Sequence, residues 1–133
     1  MNQEILRRLL KVELRTKENI TEEVKIYISQ LPDDYVDFIT AYNGGVGFIG
    51  ESDSYLDLWT LDNILQLNPY FPEEDFSKEV VIIGSDGSGT LYGYDLLNKS
   101  FFETDEFQMS RKEAIKCGNS FLDMIKYLEI KQY

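Results

Sequence analysis

The segment LPDDYVDFITAYNGG, residues 31–45, predicts one helix with a defined start and a defined end. Pro32 suits the first turn, where its missing N–H costs nothing, and the two aspartates after it suit the positive end of the helix dipole. Apolar residues at helical spacing form a single stripe for burial: Tyr35, Phe38, Ile39 and Tyr42. Asn43-Gly44-Gly45 is expected to end the helix, because Asn and Gly readily adopt the left-handed conformation of a cap.

Two further helices are predicted on the N-terminal side of this segment. The first is amphipathic, and its apolar side is made by Ile5, Leu6, Leu9, Leu10 and Val12. The second covers about residues 21–30, with Asn19 and Glu22 as a capping pair.

On the C-terminal side, the hydrophobic period becomes that of strands joined by short polar turns. Strands are predicted at residues 47–49, 55–59, 80–83, 90–94 and 100–102. Thr60 is expected to cap a short helix among them, and Asn119 or Ser120 a final helix, whereas residues 105–116 carry no clear pattern. The chain, residues 1–133, is therefore predicted to be one α+β domain, with a mainly antiparallel or mixed sheet flanked by N- and C-terminal helices.

The composition excludes several classes of enzyme. The 133 residues include no histidine, which excludes Ser-His-Asp sites, Cys-His sites and His-ligated zinc as they are usually built. Cys117 is the one cysteine, so an internal disulfide is excluded and a reducing compartment, the cytoplasm, is expected. We expect neither a signal peptide nor a membrane-spanning segment, because no apolar run is long enough.

Charge is distributed unevenly along the chain. The net charge is −11, and residues 31–109 alone carry −14, because only Lys78 and Lys99 stand against sixteen carboxylates. Such a surface repels nucleic acid, whose binding needs Lys and Arg along the phosphates. Charge alone leaves two interpretations open: an acidic surface that serves solubility, and one that attracts a basic protein partner.

Three motif-like stretches are better explained by structure than by chemistry. Residues 45–50 have the GxGxxG pattern of dinucleotide sites, but they follow a predicted helix rather than a strand. Residues 84–89 have P-loop glycine spacing, but Thr90 occupies the lysine position. Glu51, Asp53 and Asp57 have the chemistry for hydrolysis or for a divalent metal, but no spacing marks a site. No cofactor and no metal are therefore expected.

Leu31-Pro32, Tyr35, Phe38 and Asn43-Gly44-Gly45 together resemble the signature of the SUKH superfamily, which includes fungal cell-wall-synthesis regulators and many bacterial toxin-immunity proteins. Two later stretches follow the family pattern in the same order: VVIIGSDGSGTLYGYD, with Gly84 and Gly89 in its turn, and SFLDMIKYL, with Phe121 near the start of the last helix. Thr90 departs from the pattern, because many relatives have Asp after the glycines. The resemblance spans residues 20–130.

The resemblance implies an α+β fold and a binding module rather than an enzyme. Bacterial relatives commonly neutralise a cognate toxin, often a nuclease, and many such toxins are basic because their substrate is polyanionic. The acidic midsection is then expected to face a basic toxin domain, and the motif residues to serve as caps, core and turns. Exposed loop acids are the expected contacts: Glu51, Asp53, Asp57, Glu73, Glu74, Asp75 and Asp86.

Two other functions remain open at this stage. One is an intracellular scaffold or regulator of the fungal type. The other is a carboxylate-based metal-binding protein or hydrolase. The oligomeric state is left open.

Overall fold

The fold is built on one antiparallel sheet, whose neighbouring strands are also neighbours in the sequence. The computed structural model describes residues 2–71 and 79–131, and in these residues it has seven strands and five α-helices. The strands are β1 (Val12–Thr16), β2 (Tyr42–Ile49), β3 (Ser54–Leu58), β4 (Val80–Ser85), β5 (Thr90–Asp95), β6 (Ser100–Asp105) and β7 (Ile115–Gly118). The helices are α1 (Gln3–Arg8), α2 (Glu22–Ile28), α3 (Asp33–Ala41), α4 (Leu61–Leu67) and α5 (Phe121–Ile130). A 3₁₀ turn at Asn68–Tyr70 comes directly after α4.

The strands lie in the sheet in the order in which they occur in the chain, from β1 to β7, and each pairs with the next in antiparallel orientation. β4 lies in the middle, and five of its six residues are buried, as its continuous apolar run predicts. The α+β fold with an antiparallel sheet and a helix near each end of the chain is thus confirmed. No helix in the described part of the chain has the length and apolar character needed to cross a bilayer.

The core lies where α3 and α5 pack together and α5 meets β6 and β7. Its centre is a cluster of aromatic rings. The ring centroids of Tyr35 and Phe38 each lie 5.1 Å from that of Phe121, and those of Tyr94 and Phe101 lie 4.9 Å apart. The predicted stripe of α3 and the first residue of the last helix therefore form one packed unit, as the signature suggested.

Asp34, the second aspartate after Pro32, joins α3 to α5. Its carboxylate accepts hydrogen bonds from the backbone N–H groups of Phe121 and Leu122, at 3.0 Å and 2.9 Å. The Ser120 hydroxyl accepts a third, from Asp123, at 3.1 Å. Three of the free N–H groups that begin α5 are thereby satisfied, and Ser120 is confirmed as its cap.

The prediction that Asn43-Gly44-Gly45 caps α3 is wrong. The chain turns extended at Tyr42 and enters β2 directly, so all three residues lie in the strand. The amide oxygen of Asn43 accepts a hydrogen bond from the N–H of Leu61 at 2.9 Å and so helps to start α4. Gly44 has φ +77°, and a Cβ there would lie 2.6 Å from the carbonyl oxygen of Trp59. Gly44 is therefore required by a close approach of two backbones and not by a helix end.

Other element boundaries also differ from prediction. The first helix ends at Arg8, and Val12 begins a strand, because short apolar runs suit either period. Helix α2 is capped by Thr21, whose hydroxyl accepts from the N–H of Val24, and not by Asn19. Strand β7 lies partly within the stretch that showed no pattern. The predicted cap Thr60 is confirmed, since it accepts from the N–H of Asn63 at 3.1 Å.

Candidate protein-binding face

Strands β2 and β3 leave one side of the sheet open. Their inward side chains are buried: Ile49, Leu56 and Leu58. Their outward side chains are partly or largely exposed: Val46, Phe48, Tyr55 and Asp57. This alternation is typical of an antiparallel sheet with one packed side and one side facing solvent. The outward side is therefore a surface available to a partner.

An aromatic pair occupies the middle of this open side. Phe48 and Tyr55 are cross-strand partners, and their ring centroids lie 6.0 Å apart at an interplanar angle of 73°. Phe48 is 46% exposed and Tyr55 is 42% exposed. Exposed aromatic rings that are held by a neighbouring ring are the kind of residue that anchors protein interfaces.

Carboxylates surround the aromatic pair. Glu13 on β1 and Asp57 on β3 both pair with Val46 on β2, so the three residues form one row across the strands on the same side. The Cα atoms of Glu13 and Asp57 are therefore about 10 Å apart, because they are separated by twice the spacing between neighbouring strands. Glu51 and Asp53 lie in the β2–β3 turn and are exposed. We call the set Glu13, Phe48, Glu51, Asp53, Tyr55 and Asp57 the aromatic–acidic face.

The charges of this face are only partly neutralised. Asp53 forms an ion pair with Lys11, whose ammonium also donates to the carbonyl oxygen of Gly50 at 3.2 Å. Within residues 2–71 and 79–131, neither Glu13 nor Glu51 has an ion-pair partner. Two negative charges therefore remain open to solvent.

Asp57 is held in a partly buried position. Burial raises the pKa of its carboxyl group, and the nearby positive charge of Arg15 opposes this effect. Arg15 itself donates to the carbonyl oxygen of Leu58 at 3.3 Å. The ionised form of Asp57 is thus less well solvated than that of a free aspartate, and a further cation beside it would stabilise it.

Three other acids of residues 31–109, Glu79, Asp95 and Glu103, form ion pairs within the molecule. Arg111 pairs with Asp95 at 3.1 Å and with Glu79 at 3.2 Å, and Lys131 pairs with buried Glu103 at 2.5 Å. Arg111 and Lys131, in the C-terminal part of the chain, therefore neutralise acids on β5, on β6 and just before β4.

Of the predicted contact residues, Glu51, Asp53 and Asp57 are brought together on this face. The expectation that Asp86 is exposed is wrong, since only 6% of it is exposed. Its carboxylate accepts from the N–H groups of Ser88 and Thr90, at 2.8 Å and 3.0 Å, and so shapes the β4–β5 turn, which contains Gly89. Gly84, which was expected in this turn, lies in β4 instead. Glu73, Glu74 and Asp75 lie outside the described residues.

Sequence reasoning missed three members of the face. Phe48 and Tyr55 lay within predicted strands, and the alternation of apolar and polar residues could have assigned them to the solvent side. Glu13 had no such signal, because β1 was predicted as part of a helix. Its place beside Val46 follows only from the pairing of β1 with β2.

The thiol of Cys117 and the carboxylates are two kinds of side chain on which reactive chemistry could depend. Cys117 is buried, and burial raises the pKa of its thiol to about 12, with a smaller contribution from the negative charge of Glu103. A thiol with this pKa stays protonated at neutral pH and is a poor nucleophile. Among the described residues, no three Cys, Asp or Glu side chains are grouped closely enough to hold a metal ion.

The fold and the signature residues place the chain in a class of small α+β domains built on an antiparallel sheet. The model of the SMI1/KNR4 family (SUKH-1) matches residues 16–126, which is most of the chain, and the protein belongs to this family. The resemblance inferred from Leu31 to Gly45 is therefore confirmed at the level of the family. Comparison of the sequence with curated proteins found no match.

Proposed function

We propose that this protein is a non-enzymatic binding module that neutralises a basic toxin domain in the cytoplasm through its aromatic–acidic face. The observation that carries the proposal is the half-exposed pair of Phe48 and Tyr55, surrounded by four carboxylates on the open side of the sheet. Family membership supports a protein partner in general terms.

The chemistry of the face suits a basic partner. Buried aromatic anchors supply most of the affinity at protein interfaces, and unpaired charges around them set the association rate and the choice of partner. A toxin that acts on nucleic acid needs Lys and Arg to bind phosphates, so an acidic inhibitor can occupy that same surface. The net charge of −11 also steers a basic protein toward this chain over distances of about 10 Å at moderate salt.

The partner is first identified by affinity capture from the source cell, with elution by salt. Binding of the purified partner is then measured by stopped-flow and calorimetry. The double variant Glu13→Lys/Glu51→Lys is expected to slow association and weaken the complex at least about tenfold, because both charges are unpaired and lie beside the aromatic pair. The variant Tyr55→Ala is expected to act mainly on dissociation.

The matched control is Glu18→Lys/Glu23→Lys, which changes the net charge equally at two exposed positions outside the face. If the control weakens the complex as much as the face variant does, the partner responds to net charge and not to this face. Capture of several neutral or acidic proteins, with no single basic partner, would instead favour a scaffold or regulatory function. Hydrolysis or turnover of the captured partner would contradict a non-enzymatic role.

A further inference from the structure

A groove of about 630 Å³ lies between α1, the β2–β3 turn and the end of α5. Both α1 and the β2–β3 turn contact α5. Arg8 forms an ion pair with Glu129, which fastens α1 to α5, and a second ion pair, at 3.0 Å, with Glu4 within α1. Gly50 has φ +77°, and a Cβ there would overlap the carbonyl oxygen of Glu129, so the turn presses directly on α5. The walls of the groove are therefore preformed.

Apolar side chains on both walls of the groove face solvent. Leu10, just after α1, is 82% exposed, and Ile130, the last residue of α5, is 78% exposed. Phe48 from β2 lines the same groove. Three exposed apolar side chains, Leu10, Phe48 and Ile130, therefore line one concave surface.

The two walls carry opposite free charges. Arg7 lies on the α1 side and Glu51 on the side of the turn, and both line the groove. In the part of the chain that the structure describes, neither side chain forms an ion pair. Because one wall carries a free cation and the other a free anion, a two-fold rotation can bring each charge opposite its counterpart, as an isologous dimer interface requires.

We propose that this groove is the interface of a homodimer, in which Arg7 of one protomer faces Glu51 of the partner subunit and Leu10 packs near Ile130 of the partner subunit. The dimer buries apolar surface that is otherwise wet, and it satisfies two charges per protomer. The net charge of −11 opposes association only over about one Debye length, roughly 8 Å at physiological ionic strength.

The test uses the purified protein alone, in sedimentation equilibrium over a concentration series. The wild-type chain is expected to pass from monomer to dimer as its concentration rises. Arg7→Glu and Glu51→Arg are each expected to weaken the dimer at least about tenfold, because a two-fold axis makes the like-charge contact occur twice. The matched controls are Lys112→Glu and Glu18→Arg, which make the same charge changes at exposed positions outside the groove.

Mixing the two charge-reversed chains gives the decisive result. In a mixed dimer, one protomer has Glu at positions 7 and 51 and the other has Arg at both, so both contacts become attractive again. The mixture is expected to dimerise at least about tenfold more tightly than either variant alone. A wild-type chain that stays monomeric throughout the series, or a mixture no tighter than its components, would overturn the proposal.

The dimer also bears on the proposed binding partner. Phe48 and Glu51 belong both to the groove and to the aromatic–acidic face. Self-association and partner binding are therefore mutually exclusive at these two residues, so that partner addition shifts the dimer toward monomer. This consequence rests on the proposed function, whereas the dimer itself is tested without any partner, and the two can fail separately.

Discussion

The α3 segment and the aromatic–acidic face contain the same kinds of residue in opposite roles. In α3, the rings of Tyr35 and Phe38 are almost fully buried against α5, and the Asp34 carboxylate is used by two backbone N–H groups. On the face, the ring of Phe48 stays half-exposed, and Glu51 has no described ionic partner. The comparison teaches that the signature residues of α3 build the fold, whereas the proposed function assigns recognition to another surface, where the same kinds of side chain face solvent.

The largest expected effect is a difference in the free energy of unfolding between variants of two phenylalanines, one in the core and one on the aromatic–acidic face. Phe121→Ala should lower the free energy of unfolding by about 3–5 kcal/mol, because Phe121 is fully buried between the rings of α3. Phe48→Ala should lower it by less than about 1 kcal/mol, because only its contact with Tyr55 and a half-buried area are lost. Urea denaturation followed by circular dichroism measures both.

Phe121→Leu keeps the comparison measurable if Phe121→Ala does not fold, since it retains most of the apolar volume. Its expected cost lies between the other two. A loss for Phe48→Ala that exceeds about 1 kcal/mol and matches that for Phe121→Leu would show that Phe48 is part of the core, and would remove the contrast between the two regions.

An intermediate effect is expected within the motif itself. Asp34→Ala should destabilise the domain by about 1–3 kcal/mol, because two N–H groups at the start of α5 lose their acceptor. Asp33→Ala is the matched control, since it removes an exposed aspartate from the same first turn of α3 and costs only a dipole interaction of about 0.3–1 kcal/mol. Equal losses from the two variants would mean that Asp34 acts only through the helix dipole and does not link α3 to α5.

The sequence predicted the features that depend on near neighbours in the chain. Signals within a few residues were confirmed for Tyr35, Phe38 and Ile39 of α3, for the caps Thr60 and Ser120, and for the apolar run of β4. Tyr42, predicted as the last residue of the α3 stripe, lies instead in β2 and is only partly buried. Gly44 and Asn43 were placed in the right segment with the wrong role. Their partners are backbone groups of Trp59 and Leu61, which are distant in sequence.

The candidate site was predictable in part for the same reason. Loop position alone selected Glu51 and Asp53 correctly as exposed acids, and the same rule failed at Asp86, whose carboxylate folds back onto its own turn. Glu13 was out of reach, because a strand at the edge of a sheet is recognised by its pairing and not by its own five residues. The aromatic–acidic face is assembled across three strands and the β2–β3 turn, and the pattern of a single strand does not show it.

The smallest effect is expected at Asp57, a carboxylate that belongs to the aromatic–acidic face but is partly buried. Burial raises the pKa of this carboxyl group, so the folded state binds its proton more tightly than the unfolded state does. The contribution of Asp57 to stability is therefore complete below its unfolded pKa of about 3.9 and is lost as the pH rises through its folded pKa. Asp57→Asn stays neutral throughout.

The variant Asp57→Asn should consequently gain stability relative to the wild-type chain as the pH rises above about 4, and the difference in urea midpoint between the two proteins should grow until the folded pKa of Asp57 is passed. Glu18→Gln, an exposed substitution outside the face, should show no such growth. A difference that shrinks with rising pH would mean that Arg15 outweighs burial.

A basic partner beside Asp57 should lower its pKa, so binding near the raised pKa should release a proton, and the Asn variant should lose that release. Calorimetry in buffers of different ionisation enthalpy measures it, and thereby tests whether the cost of this half-buried carboxylate is recovered in the complex.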